Sequence, residues 1–440
     1  MVTYLNSLFS DSRLLVVFLS VFFQFLGSSM LLMLIIWPIR KQSPFAHRLH
    51  ASSPIARWAI CLVVLMVSSN AIHAEGFIQD IEVLSPAPLS DVSGKVKIRV
   101  RSTRLTRLEA CCVKSLTPHG IRRNGRGEGS FSVDLRRLPQ GPVTIQIMGY
   151  NAEGDRDIYE LQLYNTDRRA PHRAGIPDTI PTPAQGMRLA FADDFEGPLS
   201  VSRDGRGMRY NAHKPTFGDF SGWPFADPSD DPDGPFLVHD SYLIIQARKP
   251  DAGRGSTGLL ATVDMDGKGF WAKAPFYMEC RLTAHSAPGT WPAFWTVTNI
   301  TRGAGDELDV IEAYGGWGQG NPNSTGYWVT THYWGQTDVN GEPLEAPAQL
   351  IDMETKGKRT SWSQEFHTYG LSVTKEWTTY YLDDEPVLRH PTNSYSYDAS
   401  HVVMVNYAIG GASGWKIDLE RYGNRSNMYV DYIRVFEGEE

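Results

Sequence analysis

The chain has 440 residues, 42% of them hydrophobic, too many for one ordinary domain, so two folded units are expected. The formal charge is −7; residues 1–74 hold five of the 42 Lys and Arg and one of the 49 acidic residues, leaving 37 against 48 beyond them. That balance argues against a nucleic-acid partner and fits a neutral substrate.

Residues 14–39 are a long apolar run, about the length a bilayer core demands. Residues 58–69 are a shorter one, preceded by Arg40, Lys41, Arg48 and Arg57 and followed by "NAIHA". One reading of residues 1–74 is a signal peptide cut after Ala74, with an upstream extension. The other is an uncleaved helical hairpin that anchors the chain in a membrane. Both readings export the remainder, so a periplasmic, secreted or outward-facing anchored protein is expected.

Residues 75–165 read as short strands with period-two alternation: "IEVLS", "KVKIRV", "LEACCV", "GSFSVDL", "VTIQIMGY", "IYELQLY". Turn residues recur about every dozen positions, the pattern of a small immunoglobulin-like β-sandwich. Residues 166–186 carry four prolines and read as a semi-stiff linker. Strand signals dominate again from 187 to 440, and no long amphipathic helix interrupts them. About 250 residues of strand in one unit imply two stacked antiparallel sheets, so the fold class is all-β. Cys61 lies in the apolar leader, Cys111 and Cys112 are adjacent, and no metal-site spacing appears among the cysteines. In "FYMECRL", Cys280 shares a strand face with Phe276, Met278 and Leu282, which predicts a buried thiol.

The stretch "GDELDVIEAYGG", residues 305–316, places Glu307, Asp309 and Glu312 in an otherwise apolar strand. Strict alternation would send Glu312 into the core and Ile311 out with the acids. A buried unpaired glutamate is costly. One extra residue at Val310–Ile311, a β-bulge, returns Glu312 to the acidic face. Repulsion makes a row of three acids unfavourable, so stability is a poor explanation for it. Retaining glycoside hydrolysis needs a carboxylate nucleophile and a protonated carboxyl group about 5–5.5 Å apart. With the bulge the two glutamates stand roughly 13 Å apart along the backbone, and their long side chains can lean together. Asp309 is too short to compete and is expected to assist through its hydrogen bond and its negative field. Trp291 and Trp295 just before this strand, and Trp328, His332, Tyr333 and Trp334 after it, supply rings on which sugar faces stack.

These residues resemble glycoside hydrolase family 16. The resemblance rests on "TWPAFW", "DELDVIEAYG", "FHTYGLSVTKEWTTYYLDDEPV", "VNYAIGG" and "MYVDYIRVFE", in that order, and covers residues 187–437. It implies an antiparallel β-jelly-roll whose concave sheet forms a cleft for a β-linked polysaccharide. It further implies Glu307 as nucleophile, Glu312 as acid/base and Asp309 as assistant. The bulged motif is similar to that of the laminarinase, agarase and carrageenase branch. Trp291, Trp295, His332, Trp334, Asn406 and Trp415 become candidate substrate contacts. The resemblance implies no cofactor for the chemistry, but a structural calcium on the convex side, with Glu196 and Asp431 as candidate ligands. The expected activity is retaining, endo-acting hydrolysis of a β-1,3- or mixed-linkage glucan or a bacterial exopolysaccharide, by a monomer. A transglycosylase remodelling exopolysaccharide and a non-catalytic carbohydrate-binding protein are the alternatives.

Overall fold

The computed structural model describes residues 77–112, 119–215, 218–301, 303–316, 326–411 and 416–439. Both apolar leader segments, with Cys61, lie outside them. Among the described residues no helix is long and apolar enough to cross a membrane.

Nine strands position the cleft: β1 (Leu259–Ala261), β2 (Phe276–Ala284), β3 (Thr290–Val297), β4 (Gly305–Glu312), β5 (Gly326–Trp334), β6 (Ala348–Asp352), β7 (His367–Val373), β8 (Ser400–Ile409) and β9 (Arg425–Glu437). The first sheet runs β1-β8-β3-β4-β5-β6, with short strands at its β1 edge. The second is built around β9, β2 and β7, and the main pairings in both sheets are antiparallel. This is the β-jelly-roll sandwich expected of the 187–440 segment.

Alternation explains the layering. Along β3, Trp291, Ala293, Trp295 and Val297 join one apolar cluster on the outer, concave face of the first sheet. Phe294, one step out of phase, points between the sheets. There it meets Leu308, Val405 and Tyr407 from its own sheet and Met278, Cys280, Leu282, Leu371 and Val430 from the other. Cys280 is a free, fully buried thiol, as its strand face predicts.

Residues 82–165 form two smaller sheets. One holds Glu82–Ser85, Lys95–Arg101 and Glu128–Asp134. The other runs through Asp91–Val92, Arg156–Asn165, Gly141–Tyr150, Arg107–Cys112 and His119–Gly120. In Arg156–Asn165 every residue after the first is buried, whichever face it points to. A free-standing sandwich would leave alternate residues wet, so this sheet is covered twice. The second cover is the jelly roll. Arg421 grips Asp157 through both oxygens at 2.9 and 3.1 Å. The Tyr159 hydroxyl donates to the Arg421 carbonyl at 3.0 Å, and the Thr144 hydroxyl donates to the Ser363 carbonyl at 2.8 Å. The His285 ring sits 2.9 Å from the Glu160 carbonyl, and burial lowers its pKa to about 4. Residues 74–440 accordingly make one compact unit.

The proline-rich stretch 166–186 is held down as well. Arg434 donates to the carbonyls of Pro177 and Thr179 at 3.2 and 3.1 Å, and the Gly175 amide donates to Asp431 at 2.6 Å. Asp431 is buried, and its other oxygen pairs with the Arg281 guanidinium. Glu196 stands exposed on the surface. The expected calcium ligands therefore do not fit the ion: an arginine already supplies the positive charge at Asp431, and an amide hydrogen bond fills the other oxygen.

Candidate active site

The bulge is where the motif spacing places it. On the β3 side, Trp295 pairs with Asp309 and Phe294 with Ile311, so Val310 has no partner. On the β5 side, Asp309 pairs with Thr330 and Glu312 with Trp328, with the register slipping between them. Val310 and Ile311 both turn into the core and are fully buried. Glu307, Asp309 and Glu312 all face one cleft of about 540 Å³ on the concave sheet. The extra residue thus converts a spacing of two and three into one row of carboxylates.

Each carboxylate has its own surroundings. Glu307 accepts a 3.0 Å hydrogen bond from the Trp334 indole through Oε2, while its Oε1 lies 3.9 Å from His332 Nε2. Burial raises its pKa to about 7; the Trp334 donor and the Lys214 charge oppose the rise, and the Glu312 charge adds to it. Burial also raises Glu312, opposed by the nearby polar groups of Thr330, Trp291 and Tyr314, which favour its ionised form. The Tyr314 hydroxyl stands 3.4 Å from Glu312 Oε1. Asp309 is the most deeply placed of the three. Burial first, and then the charges of Glu312 and Glu307, push its carboxyl well above the usual range. Its Oδ2 lacks a hydrogen bond, although His332 Nε2 is 3.4 Å away.

This changes the part Asp309 can play. The sequence leads one to expect a negative field from Asp309; burial works against its charge and favours the neutral carboxyl. Burial also lowers the pKa of His332. His332 stacks on Trp334 with ring centres 4.8 Å apart and planes 16° from parallel.

The aromatic floor is partly as expected. Trp291 and Trp295 lie on the cleft face but are largely covered by Phe220, whose ring meets theirs edge-on at 5.3 and 5.9 Å. Tyr314 stacks on Trp291 at 5.7 Å. Trp334 is half exposed at the rim. Asn406, expected to touch substrate, lines the cleft but is almost completely shielded. Its amide oxygen accepts from the Trp295 indole at 2.8 Å, so its part is to fix that ring. Trp415 lies outside the described residues. Lys214, Phe220, Tyr314 and Thr330 also line the cleft and were not legible as site residues. Tyr314 could have been found, two residues beyond Glu312. Lys214 and Phe220 come from an irregular stretch nearly a hundred residues upstream, where no period marks a face.

Residues 272–434 match the family model for glycosyl hydrolases family 16. The chain is similar to the endo-1,3-1,4-beta-glycanase EglC of Rhizobium meliloti (strain 1021), 29% identical over 213 residues, 46% of this chain and 39% of that protein. It is also similar to the beta-glucanase of Rhodothermus marinus, 27% identical over 218 residues, 45% of this chain and 69% of that one. Among solved structures, SCLam, a non-specific endo-beta-1,3(4)-glucanase, superposes with a TM-score of 0.45 at 23% identity, covering 60% of this chain and 96% of that one. The chain spans about two fifths of the length of EglC and of ExsH, a second Rhizobium meliloti endo-1,3-1,4-beta-glycanase.

Proposed function

From the match of residues 272–434 to the model of glycosyl hydrolases family 16, we propose that the chain is a member of that family, an endo-acting β-glycanase working by double displacement with retention. The observation that carries the reading is the bulge in β4, which brings Glu307, Asp309 and Glu312 to one aromatic-floored cleft.

Glu307 attacks the anomeric carbon, forming a carbon–oxygen bond as the glycosidic bond breaks, and the proton of Glu312 goes to the departing oxygen. Glu312 then takes a proton from water; the water oxygen bonds to the anomeric carbon and Glu307 leaves. Glu307 suits the first role because the Trp334 donor and the nearby Lys214 favour its charge. Glu312 suits the second because burial favours its protonated form and no positive charge acts on it to oppose that. Asp309, when neutral, leaves Glu307 free to ionise without a second charge beside it.

The names of the relatives favour a β-1,3- or β-1,3-1,4-linked glucan or a related bacterial exopolysaccharide as substrate. A panel of β-1,3-, β-1,3-1,4- and β-1,4-glucans and galactans, with released reducing ends and the product anomer followed by NMR, tests this. New reducing ends with the β-anomer appearing first are expected. No cleavage of any polymer, or the α-anomer first, overturns the proposal. Export through residues 1–74, an immunoglobulin-like identity for residues 75–165 and a monomeric state belong to the same proposal.

The Trp334 hydrogen bond makes a prediction about pH. Glu307 must be ionised to attack, so kcat/KM rises as pH passes through about 7. Trp334→Phe keeps the ring but removes the donor, which raises the affinity of Glu307 for its proton. The acid limb of the pH–kcat/KM profile is expected to move up by about half to one unit. An unmoved limb would mean that the indole does not support the carboxylate.

A further inference from the structure

Lys214 reaches the cleft wall from the irregular segment after Asn211 and is half-buried there. Its ammonium stands 5.3 Å from the centre of the Phe220 ring, the same ring that packs edge-on against Trp291 and Trp295. Several other shielded cations among the described residues have a carboxylate partner. Lys358 pairs with Asp383 at 2.9 Å, Arg421 with Asp157 at 2.9 Å, and Arg281 and Arg434 pair with Asp431 and Glu279. Among the described residues Lys214 makes no ion pair or hydrogen bond; Glu307 and Asp219 act on it only at longer range. Glu307 accepts its hydrogen bond from Trp334 instead, with His332 3.9 Å from its other oxygen.

A half-buried ammonium without a partner is unfavourable in the free protein, and burial accordingly lowers its pKa. The hydroxyls of a neutral glycan would accept from the ammonium but leave its charge unbalanced. An anionic group on the substrate would offset it at the edge of the aromatic floor where a sugar ring stacks. The three carboxylates do not forbid this, because in the reactive form Glu312 carries the proton it donates and burial works against a charge on Asp309, which leaves Glu307 as the single negative charge of the row.

We propose that Lys214 selects a β-glycan bearing an anionic substituent next to the sugar that Glu307 attacks, so that the preferred substrate is an acidic polysaccharide. This rests on the hydrolase reading above. The chemistry recognised is a negatively charged oxygen group, carboxylate or ester-linked, held by one charged hydrogen bond.

The test uses the full chain and two polymers, neutral β-1,3-1,4-glucan and its carboxymethylated derivative, with wild type, Lys214→Met and Lys214→Arg. Wild type is expected to show a kcat/KM on the charged polymer about tenfold above that on the neutral one, the scale of a single hydrogen bond to a charged group. That ratio falls to about one in Lys214→Met, mainly through KM, survives in Lys214→Arg, and shrinks with added salt. Losing the Lys214 charge also weakens Glu307 on both polymers; if Lys214 acts only in that way, Lys214→Met lowers both kcat/KM values by the same factor and the ratio between the polymers stays at its wild-type value. That result, or a wild type that does not distinguish the polymers, overturns the inference. Cleavage of neither polymer removes the hydrolase reading, and this inference falls with it.

Discussion

Glu307→Gln and Glu312→Gln are each expected to lower kcat/KM by roughly 10³–10⁵, equivalent to about 4–7 kcal/mol of transition-state stabilisation. Glutamine keeps the shape of each side chain but can neither attack nor exchange a proton. The Glu307 variant carries a second signature. The Glu307 carboxyl has an ordinary value of 4.5 and is raised to about 7 in the fold. Between those values the folded chain holds a proton that the unfolded chain has lost, so wild-type stability falls as pH climbs through the window. Glu307→Gln has no charge to bury and escapes this loss. It is expected to be more stable than wild type by on the order of 1–3 kcal/mol above pH 7, a gain that vanishes below the ordinary glutamate range. Urea unfolding of both proteins across this pH range measures it. An inactive variant with no stability gain would mean that the carboxylate is better solvated than its place among Trp334, His332 and Asp309 implies. Full activity in either variant would end the mechanism.

The carboxylate row was legible because its geometry is one-dimensional. A strand has a period of two, so the position of Glu312 relative to Asp309 demanded an extra residue, and the apolar pair Val310–Ile311 was where it could hide. The sandwich around it was legible for the same reason, since "FYMECRL" and "TWPAFW" each declare an inner and an outer face. What stayed illegible depends on contacts across the fold. Asn406 looks polar and available in "VNYAIGG", but the indole of Trp295 takes its oxygen, and that ring comes from the neighbouring strand. Asp431 looks like a metal ligand until Arg281 arrives from β2. Lys214 and Phe220 sit in a loop without periodicity. The neutrality of Asp309 follows from burial at the bottom of a cleft that no single strand encodes.

Arg421→Ala is expected to be the most damaging single substitution away from the cleft. Glu160 and Gln162, in "YELQL", would face water in an isolated sandwich, yet they are almost completely buried. The jelly roll covers them, and Arg421 is the clasp. Its guanidinium meets both oxygens of Asp157, donates to the Ile81 carbonyl at 3.0 Å and lies 4.6 Å over the Tyr159 ring. Asp157 also accepts from the Asp80 and Ile81 amides at 2.8 and 2.7 Å, so its charge is fixed in place from both sides. Removing the arginine leaves a carboxylate only 3% exposed without its cation. Breaking such a pair costs about 3–5 kcal/mol, most of it the price of the stranded charge. Arg421→Ala should therefore lower the denaturant midpoint markedly. Arg421→Met with Asp157→Asn, which keeps much of the packing and removes both charges, should recover a large part of the loss. If Arg421→Ala unfolds within about half a kcal/mol of wild type, the range of an ordinary surface substitution, the two smaller sheets and the jelly roll are not clasped at this point. If the loss is as large as expected but the double substitution recovers none of it, the packing of Arg421 on Tyr159 holds the two together more than the charge pair does.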